Sequence, residues 1–107
     1  MLMERANWGF VVIWEFQIRQ GAELEFEATY GPDGDWVRLF RRDDAFVGTE
    51  LVRDLKSRGK YLTLDFWTSQ QAYEKFRERN AAEYKAIDAR CEGLTEAERE
   101  VGRFEKC

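Results

Sequence analysis

Trp8-Gly9-Phe10-Val11-Val12-Ile13-Trp14-Glu15-Phe16-Gln17-Ile18 is the stretch that decides the fold. β-Branched and aromatic residues dominate it and Arg19-Gln20-Gly21 closes it, the composition of a strand running into a turn. Alternation places Phe10, Val12, Trp14, Phe16 and Ile18 on one face and Val11, Ile13, Glu15 and Gln17 on the other. The first set is wholly apolar and the second is mixed, so both faces of this strand call for at least partial burial.

Working outward, residues 22–30 are rich in helix formers, with Glu23, Glu25 and Glu27 crowding the half where the helix dipole favours anions. Gly31-Pro32-Asp33-Gly34 interrupts that helix, and Asp35 can cap a short second piece carrying Trp36, Val37, Leu39 and Phe40. Residues 46–53 and 60–67 read as two strands of a hairpin joined by the polar run Asp54 to Gly59. In the second of these, Leu62, Leu64 and Phe66 are expected to face the helices. Tyr61, Thr63, Asp65 and Trp67 then face a partner or a pocket.

Thr68-Ser69-Gln70-Gln71 is a capping-box pattern, and apolar residues spaced by three or four, with a gap at Asn80, predict one helix over about 70–90. Thr95 with Glu98 reads as a second capping box, opening a short helix to Val101, followed by an edge strand over 103–106. The order is that of a ferredoxin-like α+β domain, an antiparallel sheet with its two main helices on one face, spanning residues 1–107 as a single domain. Helices on one face leave the other open. An exposed apolar sheet face is costly at roughly 25 cal/mol per Å² and usually marks association, so a homodimer is expected.

Composition narrows the function classes. The 107 residues carry a net charge of −4, with 44% hydrophobic and 36% charged residues, which suits a soluble, cytoplasmic globular protein. The longest apolar run, Trp8 to Trp14, falls far short of the ~20 residues of a membrane span, so no membrane partner is expected. Arg41-Arg42 is answered at once by Asp43-Asp44, leaving no basic footprint for nucleic acid. There is no histidine, and Cys91 and Cys107 have no metal-ligand spacing, so neither a metal site nor histidine-based acid–base chemistry is expected. Cys91 suits a buried apolar position and Cys107 a frayed terminus.

Trp36, Leu39-Phe40, Gly48-Thr49-Glu50-Leu51, Tyr61 through Asp65, Trp67-Thr68-Ser69, Ala72-Tyr73 and Phe76 occur in an order and spacing that resembles the antibiotic biosynthesis monooxygenase (ABM) family of the dimeric α+β barrel superfamily. The resemblance runs from about Phe10 to Phe104. It implies a homodimer whose sheets pack into a barrel and a pocket for a small hydrophobic or aromatic molecule. It also implies oxidation by molecular oxygen with no bound cofactor. Members that cleave haem are similar at Trp67 but use a strand-1 asparagine, where this chain has Trp14, and an axial histidine that it lacks. Haem degradation is therefore disfavoured. Members that oxidise anthrone-like substrates are similar in their pocket tryptophan and tyrosines, although their asparagine has no match here.

Asp65 and Glu15 fall on strands that this topology makes neighbours, both on mixed faces, and are the candidate catalytic carboxylates. Desolvation among Tyr61, Trp67 and Ile13 would raise a carboxyl pKa toward that of a base for a phenolic or enolic proton. The competing reading pairs these acids with Arg53 or Arg19. Trp67 is the third catalytic candidate, as a stacking wall, against a plain core role. Tyr61, Trp14, Tyr73 and Phe76 are candidate substrate contacts, and Tyr30 and Tyr84 could also point phenols between helix and sheet. Arg77-Glu78-Arg79 reads as a solvated helix face. Two functions follow: a cofactor-independent monooxygenase for a small aromatic or polyphenolic substrate, or a non-catalytic homodimeric module that binds a hydrophobic metabolite or serves as an interaction domain.

Overall fold

A computed structural model describes residues 7–107. Its elements run β1 (Phe10–Ile18), α1 (Glu23–Tyr30), α2 (Asp35–Phe40), β2 (Phe46–Arg53), β3 (Lys60–Trp67), α3 (Gln70–Arg79), α4 (Ala81–Cys91), a 3-10 turn (Glu92–Leu94) and β4 (Thr95–Glu105). The four strands form one antiparallel sheet in the order β2-β3-β1-β4. The expected ferredoxin-like α+β arrangement is therefore present, with β1 and β3 as central neighbours. None of the helices among the described residues is long and apolar enough to cross a membrane.

Register fixes which residues share a face. Phe10 lies opposite Trp67, Val12 opposite Asp65, Trp14 opposite Thr63 and Phe16 opposite Tyr61. All of these point to the helices, where Trp67, Tyr61, Phe10 and Phe16 join Phe26, Tyr30, Phe40, Tyr73 and Phe76 in one core. The expected assignment for β3 is thus reversed. Leu62, Leu64 and Phe66 lie on the open face, paired with Glu15, Ile13 and Val11, while Tyr61, Thr63, Asp65 and Trp67 face the helices. The physical reason is size. Large aromatic rings fill the helix–sheet layer, where Trp67 and Phe76 are fully buried. On the other side Leu62, Leu64 and Phe66 stay half-buried.

Two further expectations are corrected. The helix over 70–90 is two helices, broken at Asn80, whose backbone leaves the helical region (φ −116°, ψ 26°). Its side-chain amide donates to the Phe76 carbonyl at 3.0 Å, the local competition with helix bonding that asparagine favours. The cap of α3 lies one residue beyond the Thr68-x-x-Gln71 box: Ser69 accepts from the Ala72 N–H at 3.1 Å. The short helix from Thr95 does not form, since residues 95–105 make one long edge strand on β1, with a register shift opposite Ile13/Trp14. The Thr95-x-x-Glu98 signal is overridden because the free edge of β1 offers a ladder of backbone partners.

Candidate functional site

Between the sheet and the helices lies a cavity of about 180 Å³. Its apolar wall is aromatic: Trp14 and Phe16 from β1, Tyr30 from α1, Trp36 and Phe40 from α2, and Tyr84 from α4. Its polar lining is Thr49 from β2, Thr63 and Asp65 from β3, Arg77 from α3, Asp88 from α4 and Glu98 from β4. Every layer of the domain thus contributes a group to one space.

Asp65 is the central polar group. It sits on an interior strand between Val12 and Thr49, and the Thr49 hydroxyl donates to its carboxylate at 2.7 Å. No ion pair to it is found among the described residues, so neither Arg53 nor Arg19 neutralises it. Arg53 is instead 3.7 Å from Glu27. Burial raises the Asp65 pKa from 3.8 to about 6, and the Thr49 hydrogen bond opposes that shift. A carboxyl at that value changes charge close to neutral pH and can accept a proton from an acidic substrate.

Arg77 departs from the solvated face expected for it. Its guanidinium lies 3.8 Å from the centre of the Tyr84 ring and donates to the Tyr73 hydroxyl at 2.8 Å. The Tyr84 phenol is pushed well up by burial, against the opposing effect of Arg77, with Tyr73, Asp65 and Asp88 adding to the rise. Tyr30 is likewise raised by burial, then by Cys91. Both phenols remain protonated donors at neutral pH. The Trp36 N–H makes no hydrogen bond of normal geometry; its dipole acts on the Tyr30 hydroxyl and the Cys91 thiol nearby.

The other predicted site residues divide. Trp14 lines the cavity with Asp65. Glu15 does not join them: it is on the opposite face of the sheet, held by Arg99 at 3.3 Å and Lys60 at 3.9 Å. Adjacent residues of a strand point to opposite sides, so Glu15 cannot share a space with Trp14. Trp67 is enclosed by Phe40, Phe46, Tyr73 and Phe76 and does not reach the cavity, which is its core role rather than a stacking wall. Tyr73 and Phe76 belong to the same cluster, with Tyr73 turning its hydroxyl to Arg77. Tyr61 donates to Glu27 at the far end of the sheet. Thr63 falls on the pocket-facing set expected for β3, whereas Thr49, Asp88 and Glu98 were missed, because an isolated threonine and helix or edge-strand acids carry no distinguishing spacing; sheet register brings Thr49 opposite Asp65 and Glu98 opposite Phe16, and α4 adds Asp88 from the helical layer.

An antiparallel sheet with helices on one face and an aromatic, acid-bearing cavity between the layers defines a ferredoxin-like α+β domain. The sequence profile of the antibiotic biosynthesis monooxygenase family matches residues 9–90, and the chain belongs to that family. Among solved structures it is similar to SnoaB, a cofactor-independent oxygenase from Streptomyces nogalater, with a TM-score of 0.74 and 19% identity over 94% of both chains. A candidate antibiotic biosynthesis monooxygenase from Bordetella bronchiseptica aligns with a TM-score of 0.67 and 18% identity, over 94% of this chain and 98% of the other. A conserved protein from Methanosarcina mazei aligns with a TM-score of 0.69 and 10% identity, over 96% and 97%. At these identities the structures share the fold. No curated protein matches by sequence.

Proposed function

We propose that this chain is a monooxygenase that oxidises a small phenolic or enolic aromatic molecule with molecular oxygen and needs no cofactor. The observation that carries the reading is Asp65, a carboxyl raised to about 6 at the wall of an aromatic cavity. The aromatic rings hold a flat substrate, and Asp65 removes its acidic proton. The resulting anion is electron-rich enough to reduce oxygen directly. At a ring C–H ortho or para to the phenolate, which is the methylene of its keto tautomer, one oxygen atom becomes the new carbonyl and the other leaves as water with the two hydrogens, so the electrons come from the substrate and no external reductant is required. Asp65 is the catalytic base in this scheme, Thr49 positions it, and Trp14 and Tyr84 contact the substrate. Family membership and the SnoaB-like fold support the reading.

The working form in this proposal is a homodimer. The open sheet face carries Ile13, Leu62, Leu64 and Phe66, continued on β4 by Phe104, which is 46% exposed. A second copy packed on that face would remove these side chains from water. The functional test is oxygen consumption with a small single-ring hydroquinone. The wild type consumes oxygen at a rate that rises with pH through about 6, as Asp65 ionises. Asp65→Asn binds the same compound and consumes none. Ligand binding by the wild type without any oxygen uptake would instead establish a non-catalytic binding module.

A further inference from the structure

Four charged side chains border the cavity among the described residues, and three are acidic: Asp65, Asp88 and Glu98 against Arg77. Arg77 is already engaged, stacked on Tyr84 and hydrogen-bonded to Tyr73. Asp88 and Glu98 have no ion-pair partner among the described residues. Arginines close in sequence are committed elsewhere, Arg90 to Asp35 at 2.9 Å and Arg99 to Glu15 at 3.3 Å. Asp88 on α4 and Glu98 on β4 are exposed residues that border the cavity at its rim, from opposite layers. They are close enough to feel one another: after burial, Asp88 is what raises the Glu98 pKa. The adjoining wall offers the indole and phenol rings of Trp14, Trp36 and Tyr30, and ring faces attract cations.

Resting on the reading of the cavity as a phenol site, we infer that it selects a single-ring phenol bearing a protonated amine on a short arm, with the ring near Asp65 and the ammonium between Asp88 and Glu98. Size agrees. A cavity of about 150 Å³ holds benzene, so the 180 Å³ here suits one ring with a short substituent. A carboxylate arm would meet two unpaired acids at the same place.

The test is anaerobic calorimetric binding of three phenols of matched shape at about pH 7.5 and low salt, where the amine is protonated: tyramine, 4-ethylphenol and 3-(4-hydroxyphenyl)propionate. Tyramine is expected to bind on the order of tenfold tighter than 4-ethylphenol, and the propionate more weakly than either. The tyramine advantage should shrink at about 0.5 M salt and in the double variant Asp88→Asn, Glu98→Gln. Equal binding of tyramine and 4-ethylphenol overturns the charge selection while leaving the phenol site intact. Tightest binding of the propionate overturns it in favour of Arg77 as the dominant charge. If 4-ethylphenol itself does not bind, the phenol-site reading falls and this inference falls with it.

Discussion

Asp65→Asn removes one ionisable group from the centre of the sheet while keeping an oxygen that can accept from Thr49. In the folded protein the Asp65 proton is held more tightly than in the unfolded chain, with a pKa of about 6 against 3.8. Between those values the native state binds more protons, so stability falls as pH rises through the interval and the loss is complete above about 6. The interval corresponds to roughly 3 kcal/mol. Asn has no such charge to bury, so the variant should gain about that much relative to wild type between pH 4 and pH 7.5, or on the order of 10 °C in Tm. Urea unfolding followed by tryptophan fluorescence at a series of pH values measures it, and the difference between the two proteins cancels every other titrating group. A difference that is flat with pH would refute the reasoning. So would one of opposite sign, which would mean that Asp65 is stabilised as an ion.

Thr49→Val removes the donor that favours the Asp65 carboxylate, so the rising limb of the pH–rate profile should move up by about one unit. Phe76→Ala should cost about 3–5 kcal/mol in a denaturant titration, because its ring is fully buried in the core. Trp67→Phe should cost less, since it removes a buried indole N–H that has no partner, and its oxygen uptake should stay measurable because Trp67 lies outside the cavity. Leu64→Lys places a charge in the middle of the open sheet face. Sedimentation at micromolar concentration should show the wild type as a dimer and this variant as a monomer.

β1, β2 and β3 were legible because β-branched and aromatic runs bounded by turn residues announce them, but the gap at Asn80 in the apolar stripe did not by itself distinguish two helices from one, and the start of β4 carried a helix-capping pattern. The facing of β3 was not legible. Binary patterning weighs Leu62, Leu64 and Phe66 above Tyr61, Thr63, Asp65 and Trp67, yet the helix–sheet layer is filled by rings, and the threonine and acid beside them border a cavity. Asp65 could be singled out as an acid among aromatics, and that environment is what raises its pKa. Glu15 was misjudged for the same reason as β3: once Leu64 and Ile13 share the open face, Glu15 goes with them. Arg77 looked like one charge in a solvated run, since its stacking on Tyr84 depends on the change of backbone conformation at Asn80 between α3 and α4.

In the proposed reaction the cavity brings molecular oxygen to an anion generated by Asp65. Isotopically labelled oxygen gas with a small single-ring hydroquinone, followed by mass spectrometry of the product, tests it most directly. One labelled oxygen atom is expected in the product of the wild-type reaction and no labelled product from Asp65→Asn. Product without label, or equal labelling by the variant, would contradict the proposal.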